Sequence, residues 1–310
     1  MIKMYVVLLY YKFHPIKNPE QWTKEHREFC EKHKLVGRIL IGSEGINGTC
    51  AGLPKDIEAY KTYVHSLPGF EDMWFKEHGV DALPLPNLKV KYRKEIVALG
   101  AEVDMGKTAE YLTPEQFHMM VEAAQHDDSI VILDGRNEIE GRVGKFQNAV
   151  VPPIRFFREF KDEMKKEKYN VIKDKKILMY CTGGIRCEKA SVVLKEEGFK
   201  HVYQLHGGIY NYLQKFPNGF FEGSCFVFDD RMQILFQENG EVIEGSKAPA
   251  EKVISHCDFC DKKSNRVVND ERKERRYLVI CCEECDKVHD VSRIRFGKER
   301  KDEALGLIHA

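Results

Sequence analysis

The chain has no excess charge of either sign: lysine plus arginine and aspartate plus glutamate each number 49 among 310 residues. That balance excludes a polybasic or polyacidic protein, so any nucleic-acid site has to be a local patch. No apolar run approaches the roughly 18–20 residues that a membrane span needs. The apolar N-terminal stretch MYVVLLYYK lacks a small-residue cleavage site and reads as a strand rather than a signal peptide. There is no internal repeat, no low-complexity tract and no Gly-x-Gly-x-x-Gly fingerprint for flavin or NAD. No 2-His-1-carboxylate iron motif stands out, and His14, His26, His33, His65, His78 and His118 are scattered. Cysteine is not scarce: five of the ten crowd between residues 257 and 285. In a chain of this length that crowding points to metal binding in a reducing cytoplasm rather than to a disulfide framework. The length fits two or three domains, and nothing in the pattern calls for an obligate protein partner.

Apolar periodicity predicts a strand over 4–12, a helix over 19–33 that Pro19 can start, a strand over 35–42, and a turn built on the Asn-Gly pair of SEGINGT (43–49). A short strand, a helix over 54–66 and strand-like stretches at 72–77 and 88–97 follow. Strand, helix, two strands, helix, strand is the order of a ferredoxin-like split βαβ domain. Residues 98–112 read as a linker. A helix then starts at the Thr113-Pro-Glu-Gln116 capping box, followed by strand 129–134, a loop, a helix near 155–168, strand 176–180, helix 187–197 and strand 201–205. Strands alternating with helices mean a parallel sheet with its ligand site at the carboxyl ends of the strands. The chain is therefore of the α+β and α/β multidomain class, with a small tail from about Phe221 that leans on its cysteines.

At one strand end stands Cys181-Thr-Gly-Gly-Ile-Arg186. Gly183 and Gly184 let the backbone curl, the following helix directs N–H groups at one point, and Arg186 adds a positive charge. A cysteine so placed becomes a thiolate. Thr182, Gly183, Gly184 and Ile185 then cradle either a phosphate or an outer sulfur on Cys181. Arg186 falls five positions after the cysteine, one fewer than in a tyrosine-phosphatase loop, which favours the sulfur. The alternative is a buried cysteine on a glycine-rich turn. Cys187 is either a resolving thiol or core.

Lys89, Lys91, Arg93 and Lys94 surround Tyr92 near a strand. Lys89, Lys91 and Arg93 share a face and either track phosphates or guard a solvated edge. Arg272, Lys273, Arg275 and Arg276 form a second basic cluster diluted by Glu271 and Glu274. Tyr10, Tyr11 and Phe13 are either core or stacking residues. Cys257-x-x-Cys260 and Cys282-x-x-Cys285 have the spacing of a four-thiolate zinc ribbon, with Cys281, His256 or His289 as competing ligands. Cys30, Cys50 and Cys225 read as core.

CTGGIRCEKAS resembles the active-site loop of rhodanese-like tRNA uridine(34) hydroxylases. LLYYKF, GRILIGSEGINGT, LKVKYRKEIVALG, DGRNEIEGRVGKFQNAVVPPIRFFREF, GFKHVYQLHGGI and CFVFDDRM resemble further blocks of that family, in its order. The resemblance implies a ferredoxin/acylphosphatase-like domain over 1–97 and a rhodanese domain over 113–222, while the cysteine spacing makes the tail over 223–310 zinc-ribbon-like. It also implies an oxidoreductase that uses molecular oxygen to hydroxylate uridine 34 in the anticodon loop of tRNA, with Cys181 as a persulfide-forming catalytic residue. Asp134 and Arg136 match the family's Asp-x-Arg pair at a strand end. The family usually carries Tyr and His near Ile139 and Lys145, and additional cysteines where this chain has 269–275. A plain sulfurtransferase needs the same loop and is the competing reading.

Overall fold

The computed structural model describes residues 4–273 and 277–292. Arg275 and Arg276 of the second basic cluster lie outside the described residues.

The first domain runs β1 (Tyr5–Phe13), α1 (Pro19–Lys32), β2 (Val36–Gly42), β3 (Gly45–Gly52), α2 (Pro54–His65), β4 (Lys76–Val80) and β5 (Leu88–Tyr92). Its sheet has the order β4-β1-β3-β2-β5. The first four strands are antiparallel neighbours, the split βαβ arrangement, and β5 is added parallel to β2 at the edge. Helix faces carrying Cys30, Ile57, Tyr60 and Val64 close a core with Leu8, Tyr10, Ile39 and Cys50. The predicted strand at 72–77 begins only at Lys76, and that at 88–97 ends at Tyr92.

The turn does not use the Asn-Gly pair. It lies at Ser43–Glu44, and Asn47 and Gly48 sit within β3. Gly48 is there for packing, since a Cβ would fall 2.3 Å from the ring of Tyr10.

Residues 98–112 are not all linker: β6 (Glu110–Leu112) pairs with a strand of the second sheet. The expected loop after residue 134 contains a short helix, α4 (Glu138–Val143). The second domain runs α3 (Pro114–Ala123), β7 (Ile130–Asp134), α4 (Glu138–Val143), β8 (Gly144–Phe146), α5 (Phe160–Met164), β9 (Lys176–Tyr180), α6 (Ile185–Glu196), β10 (His201–Leu205) and α7 (Gly208–Lys215). The Thr113–Gln116 capping box forms as predicted. The helix predicted over 155–168 is broken into a 3-10 turn, α5 and a second 3-10 stretch over Glu167–Ile172. The break lets Tyr169 fold back and donate its hydroxyl to Glu163 at 3.0 Å. The sheet order is β6-β10-β9-β7, all parallel, with separate apolar cores on its two faces.

The remainder is built of short strands: β11 (Phe221–Gly223), β12 (Cys225–Phe226), β13 (Gln233–Phe236), β14 (Val242–Glu244), β15 (Val267–Asn269) and β16 (Leu278–Ile280), then α8 (Glu283–His289). β11 pairs back onto β8, and the Arg142–Asp258 ion pair at 2.5 Å ties the cysteine-rich module to α4. Among the described residues no helix is long and apolar enough to cross a membrane.

Candidate active site at the junction of two domains

β9 ends at Tyr180 and delivers Cys181 to the carboxyl edge of the parallel sheet. Gly184, at φ +103°, turns the chain into α6, which starts at Ile185, two residues earlier than predicted. Its N–H donates to Cys181 Sγ at 3.1 Å. Burial by itself pushes the Cys181 thiol up. A hydrogen bond with the Cys187 thiol, the Arg186 charge and the N–H groups of Cys187 and Arg186 outweigh it, bringing the thiol down to about 6. Cys187 is fully buried behind it, and burial together with the thiolate pushes its own thiol up.

Arg186 does not face the loop centre alone. Its two terminal nitrogens donate to the two carboxylate oxygens of Glu140 at 2.6 and 2.7 Å, and one of them also to Thr182 Oγ1 at 3.2 Å. A guanidinium already paired with a buried carboxylate is a poor seat for a phosphate dianion. The loop therefore suits a small group on sulfur. Asp134 and Arg136 are both fully buried, joined at 2.8 and 2.7 Å, and the Tyr180 hydroxyl donates to Asp134 at 2.8 Å. They brace the ends of β7 and β9 and do not line the cavity beside Cys181.

The loop is held from below by α7: the N–H groups of Ile209 and Tyr210 donate to the carbonyls of Cys181 and Thr182 at 2.9 and 3.0 Å. Gly208 permits the approach, at φ +69° and with a Cβ position only 2.4 Å from the Cys181 carbonyl. From above it is covered by the first domain. Lys76 donates to the Gly183 carbonyl at 2.9 Å, with its ammonium 4.5 Å from the Trp74 ring centre. Burial lowers the Lys76 ammonium to about 8, against the opposing pull of Cys181 and Glu188. Glu188 accepts hydroxyl hydrogen bonds from Tyr11 and Tyr111, both at 2.8 Å, and Lys189 reaches Glu44 and Glu95 at 2.9 Å each.

Between the two domains lies a cavity of about 410 Å3. Leu9, Tyr11, Arg38 and Asn47 line it from one side, Asn137, Phe156, Cys181 and Arg186 from the other, and Phe228 completes the lining. Of the three aromatic candidates near the N-terminus, Tyr10 is core and Tyr11 covers the loop, while Phe13 lies 5.9 Å from the Lys189 ammonium. Lys89, Lys91 and Arg93 line a neighbouring groove of about 670 Å3 that also reaches Arg38. Lys94 is past the strand, 4.0 Å from Glu102, and lines a different hollow.

In the tail, Cys257, Cys260, Cys282 and Cys285 bring their sulfurs within 4.8 Å of one another, with Cys260 and Cys282 3.7 Å apart. Tetrahedral thiolates at roughly 2.3 Å from a metal lie about 3.8 Å apart, so the four can hold one. Cys281 is buried and turned away, with its thiol on the Cys282 carbonyl. His256 and His289 are not in the cluster. Cys30, Cys50 and Cys225 are fully buried, as core residues should be.

Glu140, Lys76, Glu188 and Gly208 were not singled out from the sequence. Only Glu140 carried a local signal, the capping-box spacing Asn137-x-x-Glu140 that marks the start of α4.

A thiolate at a parallel-strand end, ringed by the N–H groups of the next helix, defines the rhodanese class. Residues 113–215 match the rhodanese-like domain, residues 5–96 the UPF0176 acylphosphatase like domain, and residues 222–293 the rhodanase C-terminal domain. The chain belongs to the tRNA uridine(34) hydroxylase family. It is 40% identical to the tRNA uridine(34) hydroxylase of Acholeplasma laidlawii over 304 residues, 94% of this chain and 92% of that one. With the protein of that name in Corynebacterium diphtheriae it shares 41% identity, covering 90% of each chain. With that of Staphylococcus aureus it shares 40%, covering 93% of this chain and 91% of the relative.

Proposed function

We propose that this protein is a cytoplasmic oxidoreductase that hydroxylates C5 of uridine 34 in the anticodon loop of tRNA, with molecular oxygen as co-substrate. The observation that carries the reading is the Cys181 thiolate in the wall of an interdomain cavity, in a chain aligned over nearly its full length with relatives of that name. The thiolate, or a persulfide on it, adds to C6 of the uracil and makes C5 electron-rich. One oxygen atom of O2 ends at C5 and the other as water, with two electrons drawn from a thiol-class reductant. Loss of the C5 proton and of the sulfur restores the ring and Cys181. Gly183, Gly184, Ile185 and Thr182 shape the seat of the outer sulfur, and Arg186, held in place by Glu140, anchors the loop while its charge favours the thiolate. Asp134 and Arg136 act as bracing. Lys89, Lys91 and Arg93 contact phosphates, and the tail cysteines hold one structural zinc ion.

Nucleosides from tRNA incubated with wild-type and Cys181→Ser protein, with and without oxygen, test this by mass spectrometry. The expected result is 5-hydroxyuridine only with wild-type protein and oxygen. Its absence, with thiosulfate converted to thiocyanate instead, would make the protein a sulfurtransferase.

A further inference from the structure

Three hollows meet at one side chain. Phe228 lines the Cys181 cavity, the groove of Arg38, Lys89, Lys91 and Arg93, which Asp229, Asp230 and Glu271 also line, and a third cavity of about 490 Å3 bounded by Arg142, Arg155, Phe156 and Tyr277. Each volume falls in the roughly 300–1,000 Å3 range of sites that enclose small ligands. Phe228 is 50% exposed and Phe156, which also separates the first and third cavities, is 41% exposed. The edge-to-face contact with Phe226 at 5.2 Å and the Arg186 guanidinium at 5.5 Å fix the ring of Phe228 without covering it. Asn137 lines the same two cavities.

An exposed phenyl fixed between two concave sites, beside a cationic track, has the composition of a single-strand nucleic-acid site: cations for phosphates, π-faces for bases. Enzymes that act on a base must also take it out of its stack. We infer that Phe228 is the stacking platform that separates the target base from an adjoining base of the RNA. The target base lies in the Cys181 cavity and its neighbour in the cavity of Phe156 and Tyr277. The phosphates run along Arg38, Lys89, Lys91 and Arg93, and the Asn137 amide pairs with a base edge. This assignment rests on the tRNA reading above and adds a positioning role for Phe228 and Asn137. It also gives the C-terminal module a function, because Tyr277 and Asp258 supply one wall of the third cavity.

The test is binding and turnover of an anticodon stem-loop RNA, with 2-aminopurine placed beside the target uridine, by wild-type, Phe228→Ala, Phe228→Trp and Asn137→Ala proteins. Phe228→Ala is expected to weaken binding roughly 5- to 100-fold and to raise KM more than it lowers kcat, while Phe228→Trp stays near wild type. Quenching of the 2-aminopurine is expected with wild type and Phe228→Trp and is lost with Phe228→Ala. Asn137→Ala is expected to raise KM without changing the quenching. Wild-type binding and turnover with unchanged affinity and quenching in Phe228→Ala would overturn the platform while leaving the tRNA reading intact. Failure of the wild type to bind the RNA would overturn both.

Discussion

Cys181 is an ordinary thiol made acidic by its surroundings, and its reactivity should follow its proton. Below about pH 6 it holds the proton and above it the thiolate dominates. Alkylation of Cys181 by iodoacetamide, followed by peptide mass spectrometry, is expected to reach half its plateau rate near pH 6, whereas an unperturbed thiol does so at about 8.5. A midpoint near the latter value would contradict the hydrogen bonds and charge described around the sulfur. Glu140 is the second residue on which the loop depends. Glu140→Ala leaves Arg186 buried without its counter-ion and is expected to cost about 3–5 kcal/mol of stability, measured by urea unfolding. Cys181 and Arg186 were legible in the sequence because the loop that activates the thiol is local and its glycines announce the curl. Glu140 and Lys76 were not, because they reach the loop from α4 and from another domain, and a charged residue carries no mark of the distant partner it will meet.

Among the elements, α7 does for the loop what a cap does for a helix, since its first N–H groups satisfy the Cys181 and Thr182 carbonyls. Gly208→Ala pushes a methyl group into the Cys181 carbonyl at a positive φ and is expected to cost at least about 1 kcal/mol and most of the activity. Gly198→Ala is the matched control. Its φ is +89° and a Cβ there meets nothing within 4 Å, so a similar backbone cost should leave activity unchanged. Thermal melts and turnover of the two variants separate strain from site damage. Most helices and strands were readable from apolar period, but Asn47-Gly48 was misread as a turn. Propensity favours that pair in hairpins, and packing overrode it: the glycine makes room for Tyr10 and the asparagine donates to the Ile96 carbonyl at 2.8 Å. α4 was missed because six residues are too few for a periodic signal.

In the whole molecule, the tail has little core of its own, chiefly Cys257, Val279, Cys281, Cys285 and Val291. Metal analysis is expected to find about one zinc ion per chain. Chelation, or Cys257→Ser, is expected to open residues 257–285 to protease while leaving the pH midpoint of Cys181 alkylation unchanged. Loss of that midpoint on chelation would show that the tail also supports the loop. Domain order was legible because each segment has its own pattern. The cavity was not, since it exists only where the first domain meets the second.

That meeting is written in pairs: Tyr11 with Glu188, Lys76 with the Gly183 carbonyl, Lys189 with Glu44 and Glu95, His78 with Tyr210, and the Trp74 ring stacked at 4.9 Å on His206. Each pair has one member on either side of the connecting segment. The two domains are therefore heritable only as a matched set. A chimera of two relatives joined between residues 100 and 107 would keep both folds, yet work only where the incoming half brings a compatible member for each pair, so divergence in one half obliges an answering change in the other.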